Sequence, residues 1–126
     1  MKECILLFQP PGKKSFKIEA ALMPLHIRIR KITKENYNQP LGALAGDKDV
    51  PIVDGVYEGD ELPDTMFVFC GLTDARLNQV LLALRKSGAG PFPYKAILTP
   101  TNKTWTAPDC FSEIKKEHEL MHGQKS

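Results

Sequence analysis

Two short segments of the chain are apolar at every position, a pattern typical of strands that are buried on both faces. They are Cys4-Ile5-Leu6-Leu7-Phe8 and Met66-Phe67-Val68-Phe69-Cys70. Two further segments, residues 26–30 and 94–98, alternate charged and apolar side chains, as strands at the periphery of a sheet do. The pattern therefore predicts a four-stranded sheet in which the two wholly apolar strands occupy the centre.

Apolar residues at helical spacing lie between the strands of each pair. Ser15 is a predicted cap for the first helix, which contains Ile18 and Leu22 on one face and is stopped by Pro24. Thr73 is the predicted N-cap of a second helix, whose apolar stripe consists of Leu77, Val80, Leu81 and Leu84. A third helix follows Thr106, and we expect it to cover the sheet face that the first two helices leave bare.

This element order predicts an α+β fold, a ferredoxin-like split βαβ sandwich with an additional C-terminal helix. We predict one domain over residues 1–126. It consists of a first βαβ half (1–34), a partly ordered acidic insertion (35–64), and a second half with its C-terminal helix (65–122). Within the insertion, residues 39–46 predict a short helix, and residues 51–57 predict a small hairpin on the Asp54-Gly55 turn.

Composition limits the class of protein. With 126 residues and 42% hydrophobic content, the chain can bury one core but is short for two domains. No apolar stretch approaches the roughly 20 residues that cross a bilayer, and no leader-like segment opens the chain, so we expect a cytoplasmic protein. The net charge of +2 is too small for a general nucleic-acid binder. Three widely spaced cysteines favour reduced, buried thiols.

Residues 37–42 (YNQPLG), 68–74 (VFCGLTD) and 95–99 (KAILT), together with Asn102, Lys103, Trp105 and Thr106, carry a family resemblance. They resemble a small bacterial domain-of-unknown-function family, domain of unknown function 3783, most clearly from Met66 to Met121. The family is uncharacterised, so the resemblance supplies no catalytic or binding residue. It implies a cytoplasmic bacterial protein in which the shared residues lie around two polar loops.

The loop at residues 101–105 is the first candidate for ligand contact, because Asn102, Lys103 and Trp105 offer amide, ammonium and indole groups near a strand end. Asn38 would complete this site if the two polar loops converge on one pocket. The structural alternative is a connector that caps the following helix, with Trp105 packed inward.

A second candidate is an anion site at Lys13 and Lys14, which precede a helix after a glycine. The segment lacks the glycine and lysine spacing of a phosphate loop, so a solvated turn is the alternative. Arg28, Arg30 and Lys31 could extend the positive surface, or could simply discourage pairing at a sheet edge.

The last helix contains H-E-x-x-H, with His118 and His122 one turn apart and Glu119 between them. In zinc hydrolases this string supplies two metal ligands and a base. Here no third ligand follows it, so the prediction is that no metal is bound and that His118 packs at the edge of the core.

Cys70 is a candidate nucleophile, because it ends a central strand just before a helix N-terminus. The alternative is a buried core thiol.

The predicted function is a non-catalytic regulatory or protein-interaction module, with no cofactor and with a homodimer or another protein as partner. A binder of a small anionic ligand or nucleotide is the alternative, ahead of RNA binding and of zinc-dependent hydrolysis. The apolar run at residues 66–70 lacks the basic, glycine-spaced signature of RNA-recognition modules.

Overall fold

The computed structural model describes residues 2–123, and the side chains of residues 2–120. Its core is one four-stranded sheet. The strands are β1 (Cys4–Phe8), β2 (Arg28–Ile32), β3 (Met66–Cys70) and β4 (Lys95–Ile97), in the spatial order β2-β1-β3-β4. Every residue of β1 and of β3 is buried, which confirms that the two wholly apolar runs form the central strands.

Each half of the sheet is a pair of parallel strands. β1 pairs with β2 from Cys4 opposite Arg28 to Phe8 opposite Ile32, and β3 pairs with β4 in the same sense. The two halves join where β1 and β3 run antiparallel, in a register that sets Cys4 opposite Cys70. The first residue of one central strand therefore faces the last residue of the other.

Two helices cover one face of the sheet. They are α1 (Ser15–Leu22) and α3 (Asp74–Lys86), which is preceded by the predicted N-cap. The hydroxyl oxygen of Thr73 accepts a hydrogen bond from the amide of Arg76 at 3.2 Å, satisfying one of the first free N–H groups of α3. Buried residues on this face come from both central strands and both helices: Ile5, Leu7, Ile18, Leu22, Phe67, Phe69, Val80 and Leu84.

The opposite face is covered by the insertion and the last helix. The insertion contains the predicted short helix, α2 (Leu41–Leu44), and the chain ends in α4 (Ala107–Gly123). Residues from the alternate strand positions pack here against the buried residues of α2 and α4, namely Leu41, Ala107, Cys110 and Phe111. The expectation that the last helix covers the bare face is confirmed.

The α+β class is confirmed, but the ferredoxin-like split βαβ arrangement is not. In a split unit another strand lies between the two strands that the helix connects. Here β1 is hydrogen-bonded directly to β2, and β3 directly to β4, so each half is an unsplit βαβ unit.

The predicted hairpin at residues 51–57 is wrong, because no strand occurs between Val50 and Thr65 in the described chain. The backbone of Val53 instead pairs with a side chain. The Gln39 amide nitrogen donates to the Val53 carbonyl oxygen at 2.8 Å, and the Val53 amide donates to the Gln39 side-chain oxygen at 2.9 Å. One glutamine thus supplies both hydrogen bonds that a neighbouring strand would have given.

Both outer strands differ from their predicted bounds: β4 is shorter, and β2 begins later. His26 adopts a left-handed conformation (φ +55°) at the end of a 3₁₀ turn, so β2 begins only at Arg28. The alternation within β2 has the predicted outcome: Ile29 packs on the α1 side, whereas Arg30 turns to the insertion and donates to the Leu44 carbonyl oxygen. None of the helices in residues 2–123 is long and apolar enough to cross a membrane.

Candidate functional site

Asn102, the first predicted ligand residue, is buried, and both polar atoms of its side chain form hydrogen bonds within its own loop. Its oxygen accepts from the Thr99 amide at 2.8 Å, and its nitrogen donates to the Ile97 carbonyl oxygen at 2.9 Å. These bonds close the turn that follows β4. The Asn102 side chain therefore stabilises the loop and fixes its position.

The two predicted polar loops do meet, but through backbone groups. The amide of Leu41 donates to the carbonyl oxygen of Trp105 at 2.9 Å, and the amide of Gly42 donates to that of Lys103 at 2.8 Å. Free N–H groups at the start of α2 are thereby satisfied by the 101–105 loop. The loops therefore dock the insertion on the second half of the chain.

Asn38 holds a different part of the insertion. Its amide nitrogen donates to the carbonyl oxygen of Gly55 at 3.1 Å, and it lies 3.4 Å from that of Asp54. Its side-chain oxygen is buried and has no hydrogen-bond partner among the described residues. Asn38 does not line a pocket with Asn102 and Trp105.

Asn102 and Trp105 line one groove of about 410 Å³ between α3, β4 and α4, which we call the α4 groove. Its lining includes the apolar side chains of Phe69 and Ile114 and the charged side chain of Lys95, and two exposed glutamates of α4 lie along its rim. These rim residues are Glu113 and Glu117.

Lys13 and Lys14 are exposed on a single 3₁₀ turn, just after the carboxyl end of β1. Gly12 opens this turn in a left-handed conformation (φ +60°). The two lysines thus lie at the opposite end of β1 from Cys4. Their role as an anion site stays a prediction.

The H-E-x-x-H string lies in α4. The centroid of the His118 ring lies 5.9 Å from that of the Tyr94 ring, in agreement with the prediction that His118 packs at the edge of the core. Glu119 is exposed. The side chain of His122 lies outside the described residues. Among the side chains that are described, no three metal-ligating groups come together.

A larger cleft lies elsewhere, at the end of the sheet where β1 and β2 begin. It measures about 990 Å³ and opens between the start of β2 and the segment that follows α2. We call it the basic cleft, and its lining residues are Lys2, Glu3, Cys4, His26, Arg28, Arg30, Ala45, Gly46, Asp47 and Lys48. In the sequence, the only indication of this cleft was the pair of arginines at alternate positions of β2, Arg28 and Arg30.

Four cations line this cleft against two carboxylates, those of Glu3 and Asp47. Within the described chain, no carboxylate forms an ion pair with Lys2, Arg28, Arg30 or Lys48. Glu3 lines the cleft too, but its carboxylate is held by Arg76, with Nε to Oε2 at 3.0 Å and Nη2 to Oε1 at 3.2 Å. This bidentate bond lowers the pKa of Glu3.

Cys70, the candidate nucleophile, is completely buried, and Cys4 opposite it is 4% exposed and reaches the basic cleft. The hydrogen bond with the Cys70 thiol, with help from the charges of Arg30 and Arg28, lowers the pKa of Cys4 below that of an ordinary thiol. The same hydrogen bond and burial raise the pKa of Cys70.

The third thiol behaves differently. Cys110 is buried in α4, and burial together with the charge of Glu117 raises its pKa to about 11. It therefore stays protonated at neutral pH.

Comparison with protein families gives one finding for this chain. Residues 65–121 match the model of a family described as Domain of unknown function (DUF3783). The match covers β3, α3, β4, the 101–105 loop and most of α4, a little under half of the chain, and it confirms the family resemblance over this segment. No curated protein and no solved structure matches the chain.

Proposed function

We propose that this chain, whose residues 65–121 match a domain of unknown function, is a regulatory module that binds a small anionic ligand in its basic cleft. The observation that carries the proposal is the set of four cations without carboxylate partners: Lys2, Arg28, Arg30 and Lys48. Cations that line a concave site without acidic partners attract anions.

The size and chemistry of the cleft favour a phosphate-bearing ligand. At about 990 Å³ it has room for a nucleotide-sized molecule, and its two arginines can each bind phosphate oxygens with two parallel hydrogen bonds. The Nη1 group of Arg30 donates one hydrogen bond to the Leu44 carbonyl oxygen at 2.5 Å. This bond orients its guanidinium and leaves its other donors for a ligand.

The test is the melting temperature with pyrophosphate and with ADP as probes. A ligand at 100 times its Kd stabilises the folded chain by roughly 2.7 kcal/mol, a shift of several degrees for a protein of this size. The double variant Arg28→Gln, Lys48→Gln should lose most of this shift. The shift should also shrink as sodium chloride is raised, because exposed charges are screened.

The matched control is Lys13→Gln, Lys14→Gln, which removes the same charge at the opposite end of β1. It should keep the full shift. Loss of the shift in the control alone would move the anion site to the Lys13–Lys14 turn. An equal partial loss in both variants would indicate general attraction of anions, and either result would overturn the cleft as the site.

A second candidate function, protein interaction, is favoured by the free edge of β4. In the described sheet this strand pairs on one side only, and its Ile97 side chain is 52% exposed beside the α4 groove. Glu113 and Glu117 on the rim favour an extended partner segment with basic side chains, which would add a strand to the edge.

Fluorescence anisotropy with labelled peptides tests this second candidate. A peptide of alternating valine and lysine should bind, and a valine and glutamate peptide should not. The variant Ile97→Lys should weaken binding, whereas Leu82→Lys, at an exposed position of α3, should not. Sedimentation as a dimer that Ile97→Lys dissociates would instead make a second copy of the chain the occupant of this edge, in line with the predicted homodimer.

A further inference from the structure

Cys4 and Cys70 face each other across the two central strands. They are directly paired in the antiparallel register of β1 and β3, and both side chains point to the face that α4 covers. Paired Cα atoms of antiparallel strands lie about 4.5–5.5 Å apart, which is within the range that a disulfide spans. We propose that Cys4 and Cys70 are a redox-sensitive pair that closes reversibly to a cross-strand disulfide.

The pair has one accessible member and one protected member. Cys4 lines the basic cleft, whereas Cys70 has no exposed surface. A small oxidant that enters the cleft therefore meets the sulfur of Cys4 first. Reactive thiols typically occupy electropositive and partly accessible surroundings, and Arg28 and Arg30 supply these here.

The neighbouring thiol supports the division of roles. Cys4 is the attacking sulfur because it is the member of the pair that lines the cleft, and the hydrogen bond with Cys70 lowers its pKa in the same sense. Cys70 keeps its proton, which has a second acceptor in the Val68 carbonyl oxygen at 3.7 Å. This matches the arrangement of an attacking and a resolving cysteine.

With hydrogen peroxide as oxidant, the reaction balances in two steps. The Cys4 thiolate attacks one peroxide oxygen, the O–O bond breaks, and Cys4 becomes a sulfenic acid as hydroxide leaves. The Cys70 sulfur then attacks the sulfenic sulfur, and water leaves with the Cys70 proton. Two thiols and one hydrogen peroxide thus give one disulfide and two waters. A dithiol reductant returns two electrons and two protons.

The third thiol provides the control. Cys110 belongs to the same buried cluster, but it lies on α4 and lines the α4 groove rather than the basic cleft. Its raised pKa keeps it a neutral thiol. Oxidation of the folded chain should therefore leave Cys110 free.

The experiment treats the folded, reduced chain with a slight excess of hydrogen peroxide, then blocks free thiols and maps peptides by mass spectrometry. We expect a monomer that has lost two hydrogen atoms, a peptide linking Cys4 to Cys70, a blocked Cys110, and full recovery with dithiothreitol. The variant Cys110→Ala should give the same linked peptide at the same rate. Cys70→Ala should give no disulfide and a Cys4 sulfenic acid that dimedone traps.

Three results would overturn the proposal. They are a linkage that includes Cys110, a disulfide only between two chains, and three free thiols after treatment of the wild-type chain. The mapping of the wild-type chain decides the matter even if Cys70→Ala does not fold. The outcome is also independent of anion binding, because the disulfide requires no ligand in the cleft.

Discussion

The amide of Gly42 donates a hydrogen bond of 2.8 Å to the carbonyl oxygen of Lys103, and this contact brings α2 against the loop that follows β4. Residues 61 positions apart in the chain are thereby joined backbone to backbone. Such a close approach leaves no room for a side chain. A β-carbon on Gly42 would lie 3.1 Å from the Lys103 oxygen and 2.9 Å from Cγ2 of Val50.

Gly42→Ala should therefore destabilise the chain. The added methyl group must push away the backbone of Lys103, so we expect a loss of about 1–3 kcal/mol in the free energy of unfolding. Urea denaturation followed by circular dichroism measures it. Ala43→Ser, on the same short helix, is the control and should change stability by no more than about 0.5 kcal/mol. Equal stability of Gly42→Ala and wild type would mean that α2 does not dock as described.

The predicted ligand residues Asn102 and Lys103 should differ sharply when each is changed to alanine. Asn102→Ala leaves the Thr99 amide and the Ile97 carbonyl oxygen without their partner, and should cost about 1–3 kcal/mol of unfolding free energy. Lys103→Ala keeps the backbone oxygen that α2 uses, and should stay within about 0.5 kcal/mol. A larger effect of Lys103→Ala would give its side chain a role that the described contacts do not.

The ion pair of Glu3 and Arg76 predicts a dependence of stability on acid. Arg76 lowers the pKa of Glu3, so the contribution of the pair is complete above the ordinary glutamate pKa of 4.5. It is lost as the pH falls through the lower pKa of the folded chain. Glu3→Gln should thus be less stable than wild type at pH 7, and the difference should vanish in strong acid.

Urea denaturation at a series of pH values from 2 to 7 measures this difference. The matched control is Glu113→Gln, which removes a pair with Lys116 whose atoms are 3.5 Å apart on an exposed helix surface. Its stability should follow that of wild type across the series, because such exposed pairs contribute little. A Glu3→Gln difference that persists unchanged at the lowest pH would contradict the role of the carboxylate charge.

Local burial explains why the central strands could be predicted residue by residue. A strand that is covered on both faces must be apolar at every position, and this leaves a signature within the strand itself, as in Cys4–Phe8 and Met66–Cys70. The order of the strands leaves no such signature. Split and unsplit βαβ units have the same sequence of elements, and only the strand pairing, here β1 with β2 and β3 with β4, separates them.

The candidate sites also differ in whether the sequence alone could predict them. The proximity of Asn102 and Trp105 follows from their place in one short loop. The basic cleft is assembled from Lys2, Arg28 and Lys48, which lie far apart in the chain and meet only through the pairing of β1 with β2 and the position of the insertion.

The thiol pair had a detectable signal. Cys4 is the first residue of one apolar run and Cys70 the last residue of the other. Once the two runs are taken as neighbouring antiparallel strands of equal length, the first residue of one must face the last of the other. The missing information was therefore the pairing of the two runs.

The buried hydroxyl of Tyr37 predicts a dependence of stability on alkali. Tyr37 is 1% exposed, packs between the rings of Phe8 and Tyr57, and donates its hydroxyl hydrogen to Glu61. Burial and the hydrogen bond to Glu61 raise the pKa of Tyr37 above its ordinary value of 10.0. The folded chain therefore holds a proton that the unfolded chain releases, and stability falls as the pH rises above 10.

Tyr37→Phe should accordingly lose about 1 kcal/mol of unfolding free energy at pH 7, through the missing hydrogen bond. The variant lacks the ionising group, so the stability difference from wild type should narrow progressively above pH 10. Glu61→Gln keeps an acceptor but removes the carboxylate charge, and should make the alkaline fall shallower without abolishing it, since burial remains. A constant difference between Tyr37→Phe and wild type up to pH 11.5, measured by urea denaturation, would mean that folding leaves the pKa of this phenol unchanged.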